Sequence, residues 1–181
     1  DLDERLRRSL KRSKEEVERL RKENEEVLRR SKETTKELIK TNEKVLEDVE
    51  RLVRESNVDE ERLRKAKEVL DRLRESLKKL AEESRRLNKR LEETLRKLVR
   101  DMEEVLRRSE EKIKEVDTRG ESRETVEKII KEDEDLLRKL KEESDRHIKD
   151  VERVARENER ESKRHIEEVR KVLDELREET R

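Results

Sequence analysis

Hydrophobic residues recur every three or four positions along almost the whole chain, and the pattern pauses at only two places. Because an α-helix turns once in about 3.6 residues, this spacing lines up the apolar side chains as one stripe on each helix. The stripes run from Leu2 to Val53, from Leu63 to Val116 and from Val126 to Leu176. The helices predicted from these stripes span about residues 2–56, 59–116 and 122–180.

The two pauses carry residues that favour helix ends. Asn57 can adopt the left-handed conformation that closes a helix, and Asp59 can cap the start of the next one. Gly120, the only glycine, follows the second stripe, and Ser122 can cap the third helix. Turns this short place sequential helices antiparallel. We therefore expect a single all-α domain over residues 1–181, with three long antiparallel helices running up, down and up.

An 18-residue repeat runs through the predicted helices. Leu10, Leu28 and Leu46 recur at this spacing in helix one, and the hexapeptide that begins at Glu143 returns in helix three at Glu161. Eighteen residues equal five turns of about 3.6 residues. A strict seven-residue repeat imposes a left-handed supercoil, so this longer period predicts nearly straight helices.

Polar residues lie inside the apolar stripes rather than at their edges. Asn24, Thr35 and Asn42 share one face of helix one. An unpaired buried amide or hydroxyl costs about 1–3 kcal/mol, so each should meet a partner at the same height on another helix. If the turns centre near residues 58 and 119, two residues at the same height on neighbouring antiparallel helices have residue numbers with a fixed sum. That sum is about 116 for helices one and two and about 238 for helices two and three.

This arithmetic predicts polar layers with members from all three helices. The first contains Asn24, Thr94 and Ser144 with His147 one turn away; the second contains Asn42, Ser76 and Ser162 with His165; the third contains Thr35, Ser84 and Asn158; a weaker one contains Ser9 or Ser13, Ser109 and Asp133. We interpret them as buried hydrogen-bond networks. The alternative is that these residues are solvated at the edges of the stripes.

Composition excludes several classes of function. Charged residues make up 60% of the chain, and the 54 basic residues balance the 54 acidic ones in alternation. Without a basic stripe or aromatic residues, we expect no nucleic-acid binding. No apolar run approaches the roughly 18 residues of a membrane span, so we expect a soluble protein. Without cysteine there is no disulfide or thiolate zinc site.

The candidate chemical groups are few. His147 and His165 are the only histidines, and 18 helical residues separate them by about 27 Å, so they cannot share a metal ion. A buried neutral imidazole would disrupt its layer on protonation, which makes both rings candidates for acid sensitivity. The carboxylates lie beside Arg and Lys on solvated faces. We therefore expect no active site, no cofactor, no metal and no small-molecule substrate.

Taken together, the 18-residue module, the Ser-x-x-His and Asn layers, the Asp-rich caps and the absence of Pro and aromatics resemble a known family. It is the family of de novo designed helical bundles with modular hydrogen-bond networks, used as orthogonal heterodimers and as latch-and-cage switches. The resemblance covers the whole chain. It implies a synthetic protein with no natural localisation, cytoplasmic on recombinant expression.

The width of the stripes bears on assembly. Arcs of about 120–140° suit helices that each have two core neighbours. Three such helices can close on one another, or can form three sides of a four-helix bundle with a groove for one more. Because Asn has donors to spare and each His must both donate and accept, we expect the second case. The predicted partner is one amphipathic helix from a second designed chain; the alternatives are a stand-alone monomeric three-helix scaffold and a self-associating homo-oligomer.

Overall fold

The structure is a computed structural model that describes residues 2–119 and 123–179, with side chains described over 4–115 and 123–176. Its elements are helix α1 at Leu2–Glu55, helix α2 at Glu60–Arg119 and helix α3 at Arg123–Glu179. No strand occurs within the described ranges. The three helices pack against each other, which confirms the all-α three-helix fold predicted from the hydrophobic spacing.

The link between α1 and α2 satisfies backbone groups at both helix ends. Ser56 donates to the Val53 carbonyl through its hydroxyl at 2.7 Å and through its amide at 3.3 Å. Asp59 Oδ1 accepts the Arg62 amide at 2.9 Å, and the Asp59 carbonyl accepts the Leu63 amide at 3.0 Å. Asp59 is thus the N-cap of α2, as the sequence predicts.

The second predicted turn contains Gly120 and Ser122, and both lie outside the described residues. The flanking helices end at Arg119 and begin at Arg123. Helix α2 therefore continues three residues beyond the predicted end of its stripe at 116. Its last turn contains Asp117 and Thr118, which form part of the helix rather than the link.

The chain divides into two compact units, and all three helices contribute to each. Unit 1 comprises Asp1–Arg29 and Arg90–Val151, and unit 2 comprises Arg30–Lys89 and Glu152–Arg181.

Contacts within each unit give the helix directions. In unit 1, Ser9 donates to Glu134 at 2.6 Å and Asn24 donates to Ser144 at 3.0 Å, so α3 runs parallel to α1. In unit 2, Ser31 of α1 bonds Asn88 of α2. Farther along α1, Glu50 bonds Arg74 of α2, so α2 runs antiparallel to α1. These directions give the up-down-up order.

Apolar side chains from all three helices form the core of each unit. In unit 2 one cluster comprises Leu46, Val49, Val53, Ala66, Leu70, Leu73, Leu77, Val169, Val172 and Leu176. In unit 1 one cluster comprises Ile113, Val126 and Ile130, with Leu6 and Leu10 packed against it. Burying each Leu, Ile or Val side chain stabilises the fold by about 1.5–3 kcal/mol. The polar layers interrupt these apolar clusters.

Candidate functional site

The first predicted layer lies in unit 1, where two of its members form a pair. Asn24 and Ser144 are both buried, and they bond reciprocally. Asn24 Nδ2 donates to Ser144 Oγ at 3.0 Å, and Ser144 Oγ donates to Asn24 Oδ1 at 3.3 Å. The pair links α1 to α3 without a contribution from α2.

Two other residues predicted for this layer do not join it. Thr94 is half-buried, and its hydroxyl donates to the Arg90 carbonyl of its own helix at 2.9 Å. That bond within one helix removes the need for a partner on another helix. His147 is also half-buried, and its Nε2 lies 3.9 Å from a carboxylate oxygen of Glu143 one turn earlier.

The second predicted layer lies in unit 2 and joins all three helices. Asn42 Nδ2 donates to Ser162 Oγ and, at 2.9 Å, to the Leu38 carbonyl. His165 Nδ1 lies 2.8 Å from Asn42 Oδ1, and His165 Nε2 lies 2.8 Å from the carbonyl oxygen of Leu73 in α2. Because only 6% of His165 is exposed, water competes little with these bonds.

The structure corrects the prediction for Ser76, whose side chain is exposed. Ser76 lies at the height of the layer, between the buried Leu73 and Leu77. Adjacent helical residues point about 100° apart, so a residue next to Leu77 turns away from the core at the same height. Helix α2 instead enters the layer through the Leu73 carbonyl, which residues of any type provide.

The two ring nitrogens of His165 both face oxygens that can only accept. A neutral imidazole has one N–H and can donate to one of them, whereas a protonated ring can donate to both. The bond to Leu38 fixes the orientation of the Asn42 amide, because rotating the amide by 180° would place Asn42 Oδ1 against the Leu38 carbonyl oxygen. The acid sensitivity suggested for the two histidines stays a prediction. Neither ring nitrogen bonds the Ser162 hydroxyl, so the layer holds no nucleophile–base pair.

The third predicted layer is arranged differently from the prediction. Thr35 is buried, and its hydroxyl accepts from Asn88 Nδ2 at 3.4 Å, while Ser31 Oγ donates to Asn88 Oδ1 at 3.2 Å. Ser84 is buried and Asn158 half-buried, and no residue that the structure describes forms a hydrogen bond with either side chain. Both line one small cavity with Thr35.

Asn88 is the functional residue that the sequence analysis missed. Its residue number and that of Ser31 add up to 119, close to the sum of about 116 expected for residues at the same height on helices one and two. The neighbouring Leu87 has the more apolar side chain, so the hydrophobic spacing assigns the core-facing position to Leu87 rather than to Asn88. In the structure Leu87 is half-buried, whereas Asn88 is buried among the core-facing residues of α2.

The weaker layer also forms in part. Ser109 is buried in unit 1, and its hydroxyl donates to Asp133 Oδ2 at 2.6 Å, which links α2 to α3. Ser9 of α1 donates to Glu134, the neighbour of Asp133, so the two serines bond different carboxylates. Ser13 lines a cleft of about 350 Å³ between α1 and α3.

Charged side chains on the helix surfaces are paired along each helix. Arg21 Nε donates to Glu18 Oε2 at 3.0 Å, and the hydrogen bond from Arg21 lowers the pKa of Glu18. Arg107 lowers the pKa of Glu104 in the same way. A cross-helix bond from Lys141 to Glu16 raises the pKa of the lysine. Exposed pairs of this kind contribute little to stability, because solvent and salt screen their attraction.

Metal-binding clusters and membrane-spanning helices are both absent from residues 2–119 and 123–179. Over those residues, no group of three or more His, Cys, Asp or Glu side chains is placed to hold a metal ion. No helix there is long and apolar enough to cross a membrane. Comparisons with protein-family models, curated protein sequences and solved structures gave no match.

Proposed function

We propose that this chain is a three-helix interaction protein that binds one separate amphipathic helix, with pairing made selective by its buried hydrogen-bond layers. The observation that carries the proposal is a strip of incompletely buried apolar residues on unit 2, here called the α1–α3 strip. It consists of Leu38, Val45 and Leu52 on α1 and Ile166 and Leu173 on α3.

The strip has the spacing of a helix-binding seam. Its members recur every seven residues on each helix, which keeps them on one face. Val45 and Ile166 are separated by 121 positions, as are Leu52 and Leu173, while the bonded Asn42 and Ser162 are separated by 120. The bond between Asn42 and Ser162 therefore keeps the α1 residues and the α3 residues of the strip at the same height.

Exposure along the strip is high for apolar side chains. Leu52 is 40% exposed, and Leu38, Val45, Ile166 and Leu173 are each half-buried. An apolar side chain of a fourth helix would remove the remaining surface from water. A helix lying along this strip needs about four turns of contact, since 14 residues of α1 rise about 21 Å.

Two positions on the α1 flank of the strip are uncharged, and Asp48 occupies the next position at the same seven-residue spacing. Thr34 and Thr41 are both exposed and also lie seven residues apart, one turn from Leu38 and Val45. Thr41 already bonds the Glu37 carbonyl of its own helix at 2.9 Å. Beside these two threonines an uncharged partner side chain fits best, because burying an unpaired charge there would be costly. This favours an amphipathic helix over a charged segment.

The buried layers supply the selectivity in this proposal. A partner that altered the spacing or register of α1 and α3 would separate Asn42 from Ser162 and leave both unsatisfied. We propose a partner with Leu, Ile or Val at seven-residue spacing and Asn, Ser or Thr at 18-residue spacing. The repeated module and the layers also support our proposal that the chain is a designed bundle of the family it resembles.

The test uses a synthetic amphipathic helix of about five turns, with Leu at the core positions of a seven-residue repeat and Glu and Lys elsewhere. Sedimentation equilibrium should show a complex of one chain and one peptide. Leu52→Glu places a charge in the strip and should weaken binding by about tenfold or more. Leu136→Glu is the matched control, because Leu136 is 38% exposed in unit 1 and lies outside the strip.

Equal weakening by both substitutions, or no peptide binding at all, would contradict the proposal. A dimer of the chain alone that Leu52→Glu dissociates would also overturn it, in favour of a homo-oligomer built on the same strip. A monomer that binds neither peptide nor an apolar dye would instead support a stand-alone scaffold.

A further inference from the structure

We propose that Arg170 makes the α1–α3 strip selective for a partner helix that carries an acidic residue beside its apolar seam. The inference rests on the proposed function, because it concerns the occupant of the same strip. A partner that meets this condition has Glu or Asp next to the Leu, Ile or Val residues that cover the strip.

Arg170 lies at the edge of the strip on α3. It is exposed, and it comes four residues after Ile166 and three before Leu173, so it shares their face of the helix. At about 100° per residue, Arg170 is rotated by about 40° from Ile166 but by about 140° from His165. Because His165 bonds the Leu73 carbonyl of α2, this rotation turns Arg170 away from α2 and toward the strip.

Unit 1 shows the equivalent α3 position bonded to α1. There Glu134 of α3 accepts a hydrogen bond from Ser9 of α1 at 2.6 Å, across 125 positions. Arg170 follows Glu134 by two 18-residue modules, and Val45 follows Ser9 by the same 36 positions. Val45 has no polar side-chain group, so the α1 residue at the equivalent place in unit 2 cannot pair with Arg170.

Neighbouring charges near the strip are paired within their own helices. On α3, Glu159 lies 3.3 Å from Lys163. On α1, Asp48 lies 3.5 Å from Arg51. Arg170 forms no hydrogen bond or ion pair with any residue that the structure describes. Its charge is therefore available to a carboxylate on a helix that covers the strip.

A helix that lies along the strip would place the residues beside its own apolar seam next to Arg170. Glu or Asp there can form a charge-assisted hydrogen bond with the guanidinium group, whereas Lys or Arg there would be repelled. An ion pair at the rim of an interface remains screened by water, so we expect a modest preference of about two- to fivefold in Kd. The repulsion of the wrong charge contributes to this preference along with the attraction of the right one.

The test uses two forms of the synthetic helix described above, one with Glu and one with Lys at every position that flanks the seam. Fluorescence anisotropy measures the Kd of each form for the full chain. Arg170→Glu should weaken binding of the Glu form and strengthen binding of the Lys form, each by about two- to fivefold. In about 1 M salt both effects should disappear, because the Debye length falls to about 3 Å.

Lys171→Glu is the matched control. Lys171 is also exposed and makes the same change in net charge, but it lies about 140° round α3 from Ile166 and therefore away from the strip. It should change the ratio of the two Kd values by less than Arg170→Glu does. Comparing the two peptide forms also separates charge from packing, because a loss of packing around Arg170 would weaken both forms alike.

The possible results distinguish failure of this inference from failure of the proposed function. If both forms bind and Leu52→Glu weakens both, but Arg170→Glu changes both Kd values by the same factor, the strip is the interface and the charge selectivity is refuted. A change in the ratio with Lys171→Glu as large as with Arg170→Glu would also refute it, because net charge alone would then explain the effect. If neither form binds, the proposed function fails and this inference fails with it.

Discussion

Asn24 and Ser144 are separated by 120 positions and bond each other twice, and the same separation joins Asn42 to Ser162 one 18-residue module later. The two pairs therefore tie α1 to α3 at equivalent places in the repeat. Their environments differ. Asn42 of the second pair faces His165, whereas His147, the histidine near the first pair, lies beside Glu143 instead.

Removing one member of the first pair should cost more than removing both. Asn24→Leu leaves the Ser144 hydroxyl buried without a partner and should lower the free energy of unfolding by about 1–3 kcal/mol. Adding Ser144→Ala should recover most of that loss, because two apolar side chains then face each other. Guanidinium denaturation of the single and double variants measures both effects, and additive losses would contradict the predicted coupling.

The two histidines should respond differently to the same change. His165→Leu removes the ring nitrogens that face Asn42 Oδ1 and the Leu73 carbonyl, and it should destabilise the protein by about 1–3 kcal/mol. His147→Leu alters a half-buried ring beside Glu143 and should change stability by less than about 0.5 kcal/mol. Chemical denaturation of both variants gives the comparison. Similar losses would show that the ring contacts of His165 do not contribute as proposed.

The capping role of Asp59 predicts a substitution series. Asp59→Ala removes the acceptor for the Arg62 amide and should cost about 1 kcal/mol. Asp59→Asn keeps a side-chain oxygen at the same position and should remain close to wild type. Thermal unfolding of the three proteins separates loss of the cap from loss of charge, because a purely electrostatic effect would destabilise both variants equally.

The pKa of Glu18 should depend on Arg21. The hydrogen bond from Arg21 lowers that pKa from its ordinary value of 4.5. Since the folded-state pKa is depressed, the pair stabilises the fold above the ordinary carboxylate range, and that contribution is lost as the pH falls through the lowered pKa. In Arg21→Gln, carbon-13 titration should show the pKa of Glu18 returning upward. Glu104, which pairs with Arg107, should titrate unchanged in the same variant.

Helix number, helix order and the heights of the layers follow from simple rules of spacing. Asn24 and Ser144 meet because the turn arithmetic places them level and because both lie at the centre of their stripes. The same arithmetic gives Ser76 the correct height, yet height does not fix rotation, and one step of about 100° moves a side chain from core to solvent.

Other contacts have no signature in residue types. The Leu73 carbonyl bonds His165, and backbone carbonyls are the same at every position. Thr94 bonds its own helix, a choice that spacing does not reveal. Asn88 was not predicted because the spacing allows either Leu87 or Asn88 to face the core. The more apolar of two adjacent residues is not always the buried one. Residue types and their spacing do not determine these contacts.

Asn88 also limits how the helices can misalign. The positions 18 residues before and after it hold Leu70 and Leu106, so Asn88 has no copy in the module. If α1 slid along α2 by one module, Asn88 would face Val17 where Thr35 now lies, and its amide would have one bond fewer. A sequence that repeats itself can be assembled out of step, and here one unrepeated amide makes the shifted assembly distinguishable from the correct one.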